Sequence, residues 1–233
     1  MKVGIMQPYL FPYIGYFQLI KAVDKFVIYD DVQYIKGGWI NRNRIQIDNK
    51  DYLFTFNIKR DSLSLPINQR VFASNFSEIK EKFLSLLFHV YHKAPHFSST
   101  QFLVKDILSF PEHNVSSFIT NSLQMVCSYM NITTPFILSS QIKKNNLLKG
   151  QERVVDINLA MGSTHYINLM GGINLYTKEK FDANGIKLNF IKMRNFEYQQ
   201  FGKKFIPNLS ILDVLMLNDL KSIKTMLSAY DLV

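Results

Sequence analysis

Two arginines that flank one asparagine are the residues of this sequence best suited to bind an anion. Arg42 and Arg44 end the segment Trp39–Arg44, and residues two apart in an extended chain point to the same side. Guanidinium groups placed in this way form a two-armed clamp for phosphate or carboxylate; the alternative is a pair of solvated surface arginines. The substrate-binding residues predicted in this segment are Trp39, Asn41, Arg42, Asn43 and Arg44.

Three other side chains are suited to acid–base chemistry. His165 lies in the strand-like segment 164–169, and the pKa of a histidine suits proton transfer near pH 7. Asp30 and Asp31 follow another strand-like segment, and adjacent carboxylates raise one another's pKa and attract divalent cations. We predict His165, Asp30 and Asp31 as catalytic residues. The alternatives are a hydrogen-bonded core histidine and two aspartates that cap a turn.

No metal site or cofactor is predicted from the residue types. His89, His92 and His96 have suitable spacing, but Pro95 separates the last from its helix, and no carboxylate or cysteine cluster accompanies them. Whether Asp30 and Asp31 bind a metal is left open by the sequence.

The first 29 residues predict the element that positions the candidate site. An apolar strand near residues 3–6 is followed by a polar and aromatic loop, a helix over 13–23 and a second strand over 25–29. In a right-handed crossover the loop lies at the carboxyl edge of a parallel sheet, where open α/β sheets bind ligands. The loop residues expected to position the substrate are Gln7, Pro8 and Tyr13.

The rest of the chain predicts one α/β domain over residues 1–233. Its sheet is mostly parallel and Rossmann-like, with helices on both faces. Alternating segments near 44–58 predict a hairpin, and the middle of the chain, near 77–130, is a helical block inserted into the fold. In the last third a second helix is followed by a strand that ends in Gly171-Gly172. The loop after this strand and the loop after the first strand should therefore meet at one edge of the sheet, where they could form a binding site.

Composition narrows the class of protein and of partner. With 47% hydrophobic residues the chain can bury a core, and a net charge of +9 favours anionic partners such as nucleic acid or phosphorylated small molecules; a basic solvated surface is the alternative. Cys127 is the single cysteine and is expected in the core. The sequence contains no secretory h-region and no apolar run of about twenty residues, so we predict a cytoplasmic protein without a membrane span.

Several motifs, in order, resemble those of the WbqC-like family of bacterial proteins. They are Met6–Tyr9, Phe11–Phe17, Asp30–Tyr34, Trp39–Arg44, Lys149–Arg153 and His165–Tyr176. The resemblance extends from residue 1 to about residue 216. The later motifs add these expected substrate-binding residues: Lys149, Tyr166, Asn168, Gly171 and Gly172.

A more distant resemblance links the N-terminal strand, loop and helix to the HUP nucleotidyltransferases. Those enzymes carry His-x-Gly-His at the start of the helix, and the same place here holds Tyr13-Ile14-Gly15-Tyr16. Gly15 fits a close approach of ligand to the backbone of a helix N-terminus, and Tyr16 can donate a hydrogen bond. Tyrosines carry no positive charge at neutral pH, so the resemblance implies at most a degenerate nucleotidyltransferase.

The family resemblance implies a role in surface polysaccharide or O-antigen biosynthesis. The leading interpretation is an enzyme that transfers a group, aminoacyl or glycyl among the options, to an amino sugar linked to a nucleotide or a lipid. A non-catalytic binding module for an anionic glycan intermediate or for a partner enzyme is one alternative. An aminoacyl-tRNA-dependent transferase is another, since the chain is basic. The oligomeric state does not follow from the sequence.

Overall fold

Eight strands and eight helices form the protein in a computed structural model that describes residues 1–233. The strands are β1 (Lys2–Met6), β2 (Lys25–Ile28), β3 (Arg42–Ile47), β4 (Lys50–Thr55), β5 (Phe136–Leu138), β6 (His165–Leu169), β7 (Lys187–Met193) and β8 (Tyr230–Leu232). The helices are α1 (Ile14–Ala22), α2 (Phe76–Tyr91), α3 (Phe97–Ser109), α4 (Val115–Tyr129), α5 (Gly150–Ala160), α6 (Lys178–Asp182), α7 (Ile211–Leu217) and α8 (Leu220–Met226). Short 3-10 turns span Ile67–Gln69, Ser139–Gln141 and Met170–Leu175.

The central sheet has the strand order β5-β2-β1-β6-β7-β8. The first five of these strands are parallel, and β8 pairs antiparallel with β7. From β1 the chain builds the sheet outward to β2 and β5, then returns to the other side of β1 to add β6 and β7. The order therefore reverses between β1 and β6, which is the switch point where such sheets bind ligands. The predicted mostly parallel, Rossmann-like sheet is confirmed.

Helices cover both faces of this sheet, as predicted. Successive side chains of a strand point to opposite faces of the sheet. Neighbouring residues of a strand therefore pack into two separate apolar cores, one on each face. Val27 belongs to the smaller core, with α5 and α6, whereas its neighbours Phe26 and Ile28 belong to the larger one. The larger core also contains α1, α7, α8 and the predicted central helical block, which consists of α2, α3 and α4.

The predicted hairpin is formed by β3 and β4, which pair antiparallel from Arg42 opposite Thr55 to Ile47 opposite Lys50. An aromatic cluster packs it onto the helical block: the rings of Phe54 and Phe56 lie 4.7 and 5.1 Å from that of Phe83 in α2. The hairpin is thereby fixed beside the sheet. No helix has the length and apolarity needed to cross a membrane.

Candidate functional site

A cleft of about 860 Å³ opens at the switch point of the sheet. Its walls come from the loop after β1, from the residues after β6, from the hairpin segment that contains Trp39, and from segment 194–209 after β7. We call it the switch-point cleft. The predicted site residues that line it are Tyr13, Trp39, Arg44 and Gly171.

The two arginines extend from the same side of β3, as their spacing predicts, and both lie over Trp39. The Cζ atoms of Arg42 and Arg44 are each 5.4 Å from the centre of the Trp39 ring. Arg44 lines the cleft and also pairs with Asp51, with 2.9 Å between Nη1 and Oδ2. Arg42 donates a hydrogen bond to the Gly37 carbonyl and does not line the cleft. One arm of the expected clamp therefore reaches the cleft.

Asn41 and Asn43 point away from the arginines and are buried. Asn41 accepts a hydrogen bond from the Tyr34 hydroxyl at 2.9 Å and donates to the Phe56 carbonyl at 2.7 Å. Asn43 donates to the Phe11 carbonyl. Their amides hold the arginine segment in place, and neither residue lines the switch-point cleft.

Two tyrosines from the loop after β1 supply hydrogen-bond donors to the cleft. Burial raises the pKa of Tyr9 well above its ordinary value, with a further increase from Tyr13 that the charges of Arg44 and Arg42 only partly oppose. Burial also raises the pKa of Tyr13. Both hydroxyls therefore stay protonated at neutral pH, and neither donates within the protein. Tyr9 was not among the predicted site residues, although its loop was.

Gly15 and Tyr16, at the start of α1, are in close contact with other parts of the protein. Tyr16 is completely buried, and its hydroxyl donates to the Gln7 carbonyl at 2.7 Å. A Cβ atom on Gly15 would collide with the Tyr13 ring and would lie 2.6 Å from Met193 Sδ, so protein atoms fill the space that the HUP resemblance reserves for ligand. Gln7 directly follows β1 and its side-chain amide forms no hydrogen bond within the protein, whereas Pro8 is buried.

Asp30 connects the carboxyl ends of two strands. It is 1% exposed, and its carboxylate accepts hydrogen bonds from the Ser140 amide at 2.9 Å and the Ser140 hydroxyl at 2.7 Å. This carboxylate caps the turn after β5, so the alternative interpretation of a capping aspartate describes it. Asp30 does not line the switch-point cleft, and its predicted catalytic role stays a prediction.

Asp31 is held by two cations outside the cleft. Its Oδ2 lies 2.6 Å from Lys144 Nζ and 2.8 Å from Arg153 Nη2. Burial raises the pKa of Asp31, but the hydrogen bond and charge of Lys144 together with the charge of Arg153 outweigh it, and the pKa falls below its ordinary value. No group of three or more His, Cys, Asp or Glu side chains is placed to hold a metal ion. Asp31 is therefore an ion-pair acceptor, not a free base.

His165 lies at the wrong edge of the sheet for a role in the cleft. It begins β6 and pairs with Lys2, whereas the cleft starts at Leu169, which the rise of about 3.3 Å per residue places roughly 13 Å along the strand. Its Nε2 hydrogen-bonds to Asn189 Oδ1 at 2.8 Å. Burial lowers the pKa of His165, and the charges of Lys187, Lys2 and the N-terminus act in the same direction. The prediction that it shares a cleft with the arginines is corrected.

Most of the remaining residues from the later motifs do not line the cleft. Tyr166 belongs to the smaller core and accepts a hydrogen bond from Asn168 at 2.9 Å. Gly172 packs against Asn168, where a Cβ would lie 3.0 Å from Nδ2. Lys149 precedes α5 and is exposed. Of this group only Gly171 reaches the cleft.

The largest part of the cleft wall was not predicted. Segment 194–209 and the end of β7 contribute Lys192, Arg194 and Glu197. The sequence shows this stretch as basic and aromatic but does not position it. The available signal is topological: β7 follows β6 in a parallel crossover, so the residues after it must lie at the same carboxyl edge.

The strand order and the cleft at its reversal define a Rossmann-like α/β protein with an open cleft at the carboxyl edge of its sheet. The chain belongs to the WbqC-like protein family, whose sequence model matches residues 7–225. It is 29% identical over 217 residues to "Uncharacterized protein Rv1507c" of Mycobacterium tuberculosis, a match that covers 92% of each chain. No solved structure matches the chain significantly. The predicted family membership is confirmed.

Proposed function

We propose that this protein is an enzyme of bacterial surface-polysaccharide biosynthesis that transfers a group, such as aminoacyl or glycyl, to an amino sugar. The switch-point cleft would hold the sugar while it is linked to a nucleotide or a lipid phosphate. The observation that carries the proposal is the grouping of Arg44, Trp39, Tyr9 and Tyr13 at the reversal of strand order.

The charges of the cleft suit a sugar phosphate. Its lining has three cationic side chains, those of Arg44, Lys192 and Arg194, and one carboxylate, that of Glu197. Arginine binds phosphate through parallel N–H donors, and Arg44 has a buried Nε without a partner. Protonated tyrosine hydroxyls add neutral donors for sugar oxygens. The indole ring of Trp39, 45% exposed, offers an apolar face to a sugar or base.

The carboxylate of Glu197 is the group in the lining that could accept a proton from the sugar amine. In the proposed transfer the amine nitrogen attacks an activated acyl carbon, a C–N bond forms, and the bond from that carbon to its leaving group breaks. The nitrogen loses one proton to Glu197. The acyl donor is an activated ester or thioester supplied as the second substrate.

Thermal shift measurements test the anion-binding part of the proposal. A nucleotide sugar at about 100 times its Kd should raise the melting temperature by roughly 5 to 10 °C for a protein of this size. Arg44→Ala should weaken binding about tenfold, the effect of losing one charged hydrogen bond of about 1.4 kcal/mol, and so reduce that shift by about half.

Lys50→Ala is the matched control for this variant. Lys50 is an exposed cation of the same hairpin, at the start of β4, and does not line the cleft. Equal losses in the two variants would count against specific binding at Arg44, because they would reflect net charge alone. Stabilisation by charged tRNA but by no sugar would instead favour the aminoacyl-tRNA-dependent transferase.

A non-catalytic binding module for an anionic glycan intermediate is the second candidate. It is favoured by the lining of the cleft, which has no histidine and a single carboxylate. Glu197→Gln separates the two candidates. For an enzyme we expect about a hundredfold loss of modified sugar, the usual size of a proton-transfer contribution, with the ligand-induced thermal shift retained.

Mass spectrometry of the surface polysaccharide from strains that carry each variant measures this loss. Glu81→Gln, which changes an exposed glutamate on α2, is the control and should leave the product unchanged. Normal product with Glu197→Gln would rule out the proposed proton transfer and support the binding module.

A further inference from the structure

A second cavity, of about 850 Å³, lies on the other side of the arginine segment from the switch-point cleft. Its walls come from the loop before β3 and from segments 57–63 and 70–74. We call it the Arg70 cavity. It shares no lining residue with the cleft, and none of its residues was part of the proposed transfer reaction.

Arg70 is a buried cation that lacks a counter-ion. It is 4% exposed, yet it forms no ion pair with any aspartate or glutamate. Its Nη2 donates to the Ser62 carbonyl at 2.6 Å, its Cζ lies 5.2 Å from the centre of the Tyr34 ring, and its Nε is buried without a partner. A buried charge is costly unless it is paired. No carboxylate lies within ion-pair distance of Arg70, so an anion in the cavity could supply the missing counter-charge.

Three more cationic side chains line the same cavity, so its positive charge does not come from Arg70 alone. Lys36, Lys59 and Arg60 are exposed at its walls, and the single carboxylate there is that of Asp61. Asp61 accepts a hydrogen bond from the Ser62 amide at 2.8 Å and so is directed at its own loop. The cavity therefore has four cationic side chains and one carboxylate, which is already hydrogen-bonded. This excess of positive charge suits a ligand with several negative charges.

We propose that the Arg70 cavity binds the linked phosphates of a nucleoside diphosphate or triphosphate. Arg70 would bind one phosphate from the wall while Lys36, Lys59 and Arg60 bind the others from the rim. The volume lies within the roughly 300 to 1,000 Å³ of pockets that hold ligands of this size. This site is additional to the cleft, so its ligand and the sugar can be bound at the same time.

Isothermal titration with inorganic triphosphate tests the site. The wild-type chain should bind it, and Lys59→Ala/Arg60→Ala should weaken binding at least tenfold. Both residues are exposed, so this variant should fold. Arg70→Met, which keeps an apolar chain of similar length, should also weaken binding at least tenfold, with the melting temperature measured to show that the variant is folded.

The control is Lys178→Ala/Lys187→Ala, which removes two exposed positive charges at α6 and at the start of β7. This control should bind triphosphate within twofold of the wild type. Three results would overturn the site: no binding to the wild type at millimolar triphosphate, equal losses in the cavity and control variants, or binding of a short mixed-sequence RNA without binding of triphosphate. Loss with Arg44→Ala alone would locate the anion in the cleft, which would refute this site and still support the proposed function.

Discussion

Asp31→Ala is expected to lower the free energy of unfolding by about 3 kcal/mol, the lower end of the range for breaking a buried ion pair. The reason is the charge that remains. The Lys144 side chain is 1% exposed and that of Arg153 is 12% exposed, so the variant buries two cations without their shared acceptor. Asp31 itself keeps 15% of its side chain exposed, which is why the lower end applies. Urea denaturation measures the loss.

The destabilisation should depend on pH in a defined direction. The pKa of Asp31 is lowered in the folded protein from its ordinary 3.8, so the unfolded chain takes up a proton first as the pH falls. Its stabilising contribution is then present above about pH 3.8 and is lost as the pH falls through the folded pKa. The free energies of unfolding of the wild type and of Asp31→Ala should converge in acid. A constant difference down to low pH would refute this explanation.

Asp51→Ala is the matched control, since it also removes an aspartate from an ion pair. The partners Arg44 and Asp51 have side chains that are 32% and 48% exposed, and exposed pairs contribute only about 0 to 1 kcal/mol. A loss for Asp51→Ala as large as that for Asp31→Ala would mean that burial does not determine the effect.

The architecture was predictable because it depends on local patterns and on chain connectivity. The apolar run near residues 3–6, the helix after it and the next strand specify β1, α1 and β2. The right-handed crossover then fixes which edge of the sheet their loop occupies. The same logic applies to β6 and β7, and it places Tyr13 and Gly171 in one cleft although they are far apart in sequence.

The position of His165 shows where the prediction failed although the information was present. His165 begins a strand that runs parallel to β1, and the carboxyl ends of such strands carry the ligand site. A residue at the start of the strand must then lie at the opposite edge. The direction of the predicted strand was sufficient to exclude His165 from the cleft.

The roles of Asp30 and Asp31 were not predictable from the sequence. Their partners Ser140, Lys144 and Arg153 follow 110 or more residues later, and no local periodicity indicates which distant cation a carboxylate will meet. Two adjacent aspartates have the same sequence pattern whether they bind a metal, act as a base or cap a turn. The packing of β5 and α5 beside β2 brings Ser140 and Arg153 to the two aspartates, and only this contact shows which role each aspartate has.

Asp213→Ala is expected to lower the free energy of unfolding by roughly 2 to 6 kcal/mol, or about 1 to 3 for each of two buried hydroxyls left without an acceptor. Asp213 is 1% exposed and accepts hydrogen bonds from Tyr91 at 2.6 Å and from Tyr198 at 2.7 Å. Tyr198 belongs to segment 194–209, which forms a wall of the switch-point cleft. The variant should therefore also reduce the thermal shift caused by a cleft ligand.

Asp213→Asn removes the ionisable group while keeping one oxygen acceptor for the two tyrosine hydroxyls, and its NH2 group can only donate to the other. Burial raises the pKa of Asp213 by more than the hydrogen bonds from Tyr91, Tyr198 and Gln200 lower it. The folded protein therefore holds this proton at pH values where the unfolded chain has lost it, and stability falls as the pH rises from about 3.8 through the folded pKa. An amide cannot ionise, so Asp213→Asn should lose this part of the pH dependence and gain stability relative to the wild type as the pH rises through that range.

Denaturation curves across this pH range compare the variant with Asp106→Asn. Asp106 is exposed on α3, and its carboxylate has no hydrogen-bond or ion-pair partner within the protein, so this control should keep the pH dependence of the wild type. If Asp213→Asn also keeps it, Asp213 is ionised in the folded protein at all these pH values. The two tyrosines would then donate to a buried carboxylate anion, which would refute the explanation that burial keeps Asp213 protonated.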